Sequence, residues 1–172
     1  MAKSRKSGTS RGELAAGREL AFLVLCHLES YDADEREDAV AVFWRDPPGA
    51  PRGDAESGED AEAMARPREW AQRPRARAFA ERLLEQLLPR WEAIDAAIEE
   101  TSRRWRVARM DRVDRNALRL AAIELEAFPN TPRGVILAES VRLASRYGSE
   151  RSGRFVNGIA ETLARSLRPE AR

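Results

Sequence analysis

Residues 146–158 read R-Y-G-S-E-R-S-G-R-F-V-N-G, and periodic apolar sequence runs into this stretch and out of it. Upstream, Gly134, Leu137, Val141 and Ala144 recur at helical spacing. Downstream, Val156, Ile159, Ala160, Leu163 and Leu167 mark one face of a second helix. The stretch is therefore a corner between two helices. Gly148 stands where a left-handed C-cap residue is expected, and Ser149 or Ser152 stands where the following helix is capped. The corner holds Arg146, Arg151 and Arg154 beside Tyr147 and Phe155. Cations next to ring faces suit single-stranded nucleic acid, whose bases stack and whose phosphates need neutralising. The same residues also fit an ordinary corner with a solvated charged rim and Phe155 in the core.

Working outward, the periodicity predicts helices and no strand. A first helix is expected over about 12–30, with Leu14, Ala21, Leu25 and Leu28 on one side and Phe22, Leu23 and Val24 widening the apolar face. A second is expected over 35–45, with Ala39, Val42 and Phe43 inward, ended by Pro47 and Pro48. Further helices are expected over 75–88, 90–101 and 111–127, the last with Asp111 as its cap. Trp105 is expected to anchor the basic link 103–109 to the core. Thr131 as N-cap with Pro132 at the first helical position opens the helix before the corner. The fold class is all-α, a compact bundle of about seven helices in one domain over 11–170. Residues 1–10 are expected to be a disordered basic arm. Residues 46–70, rich in Pro, Gly and acids, are expected to be a flexible insertion with little to bury.

A formal net charge of +1 conceals a strong asymmetry. Residues 1–18 carry five basic groups and one acid, residues 32–62 three and eleven, and residues 101–172 fifteen and eight. A basic head and tail around an acidic middle permit an anionic partner. No run approaches the roughly 20 apolar residues of a membrane span, and no apolar signal core follows the basic N-terminus; a cytoplasmic protein is expected.

Catalytic chemistry is not indicated. Cys26 is the lone cysteine and His27 the lone histidine. As helix neighbours they point about 100° apart, so they form neither a catalytic pair nor a metal site. Cys26 fits a small core residue. No phosphate-binding glycine loop, dinucleotide fingerprint or nucleophile elbow is present. No enzyme, metal or cofactor is therefore expected. Arg119 and Glu124 are expected to be partly buried and to satisfy each other or nearby backbone.

F-V-N-G at 155–158, after R-Y-G at 146–148, resembles the C-terminal signature of the NusB family of bacterial transcription antitermination factors. V-D-R-N-A-L-R-L-A at 113–121, with I-E-L at 123–125, resembles that family's helix with an "lR-A-EL" core. Pro132 to Ala144 resembles its next helix, and Arg18 to Leu28 more weakly resembles its first. The resemblance implies the all-helical NusB fold. It also implies an RNA-binding antitermination role with the ribosomal small-subunit protein NusE, on boxA-type single-stranded RNA, within the RNA polymerase antitermination complex. The family's N-terminal arginine-rich run is matched by Arg18, with Lys3, Arg5, Lys6 and Arg11 upstream able to substitute for the rest. With these, Tyr147, Arg151, Arg154 and Phe155 form the expected RNA-binding set. The family's acidic position for its partner is matched by Asp114, flanked by Arg112 and Arg115, and Asp114 is expected to be exposed on a first helical turn. The alternative is a protein–protein interaction module of the same fold without significant RNA binding.

Overall fold

Long runs of Ala, Leu, Arg and Glu favour helix, and helix is what most of the chain forms. The computed structural model describes residues 3–47, 66–102 and 104–169, with backbone only for 3–10. The helices are α1 (Lys3–Leu28), α2 (Arg36–Arg45), α3 (Pro74–Leu87), α4 (Trp91–Ser102), α5 (Arg112–Ala127), α6 (Arg133–Tyr147) and α7 (Ser152–Leu167). Residues 66–71 add a short helical stretch, and the described residues contain no strand. The all-α expectation holds. Most of the expected insertion, 48–65, lies outside the described residues. The first helix starts at Lys3, not near 12, and so takes in positions expected as a disordered arm. Lys3, Arg5, Lys6 and Arg11 favour helix there, and extending an existing helix is cheap compared with nucleating one.

The chain forms two compact units, residues 1–82 and 83–172. In the first, nearly every residue from Ala16 to Leu28 is buried. Gly17 permits a close approach, since a Cβ there would lie 2.7 Å from the Ala76 carbonyl of α3. Ala39 and Phe43 of α2 are buried as expected, whereas Val42 is exposed. Position 42 is one step from Phe43, about 100° around the helix, and so leaves the buried stripe. His27 lies between Tyr31 and Phe43, with ring centroids 4.9 and 5.8 Å away.

In the second unit α5 is the central element, packed by α4, α6 and α7. Every residue from Asn116 to Leu125 is buried, as two apolar stripes require. Arg119 and Glu124, expected to satisfy each other or nearby backbone, are both buried, and Arg119 also has a partner on another helix. It crosses to α4 and grips Asp95 in a two-point fork, Nε and Nη2 donating at 2.6 and 2.7 Å. Nη1 donates to Asn116 Oδ1 at 2.9 Å, and the guanidinium lies 4.3 Å from the centroid of the Trp91 ring. Carbonyls at the end of α5 and in the turn that follows it are gathered by Arg168. Its guanidinium donates to the carbonyls of Glu124 (3.0 Å), Leu125 (2.6 Å), Phe128 (3.0 Å) and Thr131 (2.7 Å).

The capping expectations need correction. Asp111 occupies the N-cap position of α5 without a side-chain cap bond. Pro132, not Thr131, occupies that position for α6. Gly148 is extended (φ −101°, ψ −167°), not left-handed. It is a glycine for space: a Cβ there would lie 2.6 Å from Ser152 Cβ and 2.7 Å from the Ala144 carbonyl oxygen.

Candidate nucleic-acid interface

The extended backbone at Gly148 turns the chain from α6 into α7, and a short polar relay holds the turn. Ser152 is buried, and its Oγ accepts from the Ser149 N–H at 3.0 Å and lies 3.2 Å from Ser149 Oγ. Behind it stands Asp114 of α5, hydrogen-bonded to Ser152 and only 6% exposed. Asp114 Oδ1 is buried without a hydrogen-bond partner among the described residues. Burial pushes the Asp114 carboxyl above the usual range; the Ser152 bond works against that rise and the nearby Asp111 charge adds to it. Asp114 was expected to be an exposed contact for a partner. Its buried place beneath the corner corrects that exposure: Arg112 of the same turn is exposed, but Asp114 falls on the face that the α6–α7 corner covers.

Above this relay the corner presents its cations. Arg151 and Arg154 are exposed, and their side chains make no hydrogen bond or ion pair among the described residues. With Glu150 and Phe155 they line a cleft of about 570 Å³. Arg146 lies 5.5 Å from the centroid of the half-buried Tyr147 ring. Two guanidiniums against one carboxylate leave this cleft net positive, a field that attracts phosphate. Tyr147, Arg151, Arg154 and Phe155 thus fall on one corner, as their sequence spacing requires.

The other expected residues fare differently. Arg11 on α1 is exposed, while the side chains of Lys3, Arg5 and Lys6 lie outside the described residues. Arg18 is 3% exposed, its guanidinium 5.2 Å from the Phe79 ring centroid. It falls on the enclosed part of α1 beside the equally buried Glu19, where an exposed position was expected. Arg112 is exposed, and Arg115 is half-buried with Nη1 donating to the Met110 carbonyl at 2.6 Å. Cys26 is buried, in keeping with a core role. Trp105, expected in the core, is 53% exposed and meets Phe155 edge to face. No sequence signal distinguished it from an anchoring tryptophan. No helix among the described residues is long and apolar enough to cross a membrane.

Residues 16–165 match the NusB family. The chain is 40% identical over 156 residues to the transcription antitermination protein NusB of Sorangium cellulosum (strain So ce56), covering 91% of this chain and 94% of that one. Among solved structures, T. maritima NusB is similar with a TM-score of 0.60 at 24% identity, over 88% of this chain and 89% of that one. A complex described as antitermination factors NusB and NusE with dsRNA is similar with a TM-score of 0.58 at 23% identity, over 90% and 97%. At such identities the two structures speak for the fold alone.

Proposed function

We propose, because this chain belongs to the NusB family, that it is an RNA-binding transcription antitermination factor. In this reading it acts with the ribosomal protein NusE on boxA-type RNA of ribosomal RNA transcripts, within the RNA polymerase antitermination complex and in the cytoplasm. The observation that carries it is likeness to an antitermination protein along nearly the full length of both chains. The corner adds a physical rationale: Arg151 and Arg154 are exposed cations without internal partners on a turn braced by Ser152 and Asp114. Phosphate contact by such groups releases counterions, so affinity falls as salt rises. Arg11, and Lys3, Arg5 and Lys6 before it, supply a second basic stretch. Arg112, exposed at the start of α5, is the residue of its group best placed to meet a protein partner. Asp114 supports the corner from below. The protein binds and positions, and no catalytic step is assigned to it.

The burial of Arg18 favours a second reading, a partner-binding module with little affinity for RNA. The test is RNA affinity at several salt concentrations for wild type, Arg151→Glu and Arg154→Ala. The first reading expects weaker binding with a shallower salt slope in folded variants. Unchanged affinity in both would leave the corner a structural turn and favour the module.

A further inference from the structure

Trp105 stands just before the 3-10 turn Val107–Arg109, with about half its surface in water. Leaving so large an indole exposed forgoes much of what its burial would contribute. Its backbone is fixed nonetheless. Its N–H donates to the Ser102 carbonyl at 3.2 Å, and its own carbonyl accepts from the Ser102 hydroxyl. Its ring meets Phe155 at right angles, with centroids 5.8 Å apart. Phe155 in turn lines the Arg151/Arg154 cleft, while Trp105 lines a second cleft of about 400 Å³ with Glu99, Glu100, Arg104 and Arg106. One ring of the pair lines each cleft, and the contact between the rings brings the two clefts side by side.

The charges around this pair choose the occupant. Glu99 is committed, accepting from the Val107 N–H at 2.9 Å and pairing with Arg106 at 3.2 Å. Glu100 is exposed. Carboxylates beside the indole disfavour a phosphate there but tolerate a neutral flat ring. Arg104, Arg151 and Arg154 are exposed, and their side chains make no ion pair among the described residues. A half-exposed indole, braced by a second ring and flanked by uncommitted cations, matches a nucleotide: a neutral aromatic base on the ring and its phosphates on the arginines. In a duplex the base faces are already stacked, so the fitting ligand is single-stranded.

We propose that Trp105 is a stacking platform for an unpaired base of single-stranded RNA, with Phe155 as its brace and Arg104, Arg151 and Arg154 taking the neighbouring phosphates. This inference rests on the RNA-binding reading above and extends that site to the link before α5. The test is fluorescence anisotropy with a single-stranded boxA-like RNA and with an RNA duplex, over several salt concentrations. The proteins are wild type, Trp105→Ala, Trp105→Phe and Arg151→Glu. Trp105→Ala should weaken single-strand binding roughly 5- to 150-fold, the range that base–aromatic stacking implies. Its salt slope should stay unchanged, because an indole neutralises no phosphate. Trp105→Phe should retain most of the affinity, and duplex binding should be the same in wild type and both Trp105 variants. Tryptophan emission should be quenched by the single strand in wild type and not in Trp105→Phe. If Trp105→Ala binds as wild type while Arg151→Glu is weakened, the platform is wrong and the RNA reading stands. If neither variant is weakened, both fall. Equal losses in the Ala and Phe variants would also overturn stacking. So would a loss of NusE binding with RNA binding intact, which would make Trp105 a protein contact.

Discussion

Replacing Asp95 with Ala removes the carboxylate that Arg119 grips from α5. The Arg119 side chain is 6% exposed and that of Asp95 24%, so the pair lies at the edge of the core with the cation on the inner side. Removing one partner of a buried pair costs about 3–5 kcal/mol, because the other charge is left buried without its counterion. Two features put this case at the low end. Arg119 keeps Asn116 Oδ1 at 2.9 Å and the Trp91 ring at 4.3 Å, and the partial exposure of Asp95 lets water into the vacated space. The expected loss is therefore about 3 kcal/mol. At about 2–4 °C of Tm per kcal/mol for a chain of this size, that is a drop of about 6–12 °C. Urea unfolding followed by far-UV circular dichroism should show a lower midpoint with an unchanged m-value. Glu69→Ala is the control: it breaks a pair with Arg73 whose side chains are 62% and 41% exposed, and should cost no more than about 0.5 kcal/mol. If Asp95→Ala costs no more than the control, the fork is not what fixes α4 to α5.

Gly148→Ala should destabilise by about 1–3 kcal/mol, since its methyl group would press on Ser152 Cβ and the Ala144 carbonyl; thermal unfolding reads the loss. Arg168→Ala should cost about 2–3 kcal/mol by stripping one charged donor from four carbonyls around the end of α5. Arg168→Lys should recover only part of that in the same urea assay, because a point charge cannot reproduce the planar fork. His27 gives a pH signature. Burial lowers its pKa below 6.5, against the opposing effect of a bond to the Ala39 carbonyl. Below 6.5 the unfolded chain then takes up the proton first, so the His27 contribution is fully present above that pH and is lost as pH falls toward the depressed folded value. Urea midpoints compared at about pH 7.5 and about pH 5.5 should fall at the lower pH, and His27→Gln should reduce that fall. His27 is the sole histidine in the chain, so a difference between the two proteins is its own.

The helices from α3 to α7 were legible because their apolar residues repeat at helical spacing, and their ends agree with the periodicity to within a residue or two. What failed was the fate of individual polar and aromatic side chains. Arg18 and Asp114 were placed on the surface as binding residues by resemblance and charge, yet each is buried on a helix face that distant segments cover. Trp105 was placed in the core for the opposite reason, and only the packed structure shows it held against Phe155 with half its surface free. Gly148 was marked as a required glycine, but for backbone handedness instead of the space beside Ser152. Arg168 carried no local signal at all: its partners lie some 40 residues upstream, the sequence separations of its bonds running from 37 to 44. Periodicity encodes the helices and which face is apolar; it does not encode which distant carbonyl or carboxylate a side chain will find.

The most direct test of the central claim is the affinity of the wild-type chain for boxA-like single-stranded RNA, alone and with NusE, against a scrambled RNA of equal length. An antitermination factor of this family should bind the boxA-like strand more tightly than the scrambled one, bind it more tightly still with NusE present, and lose affinity as salt rises. Equal and weak binding to both RNAs, unchanged by NusE, would contradict the account.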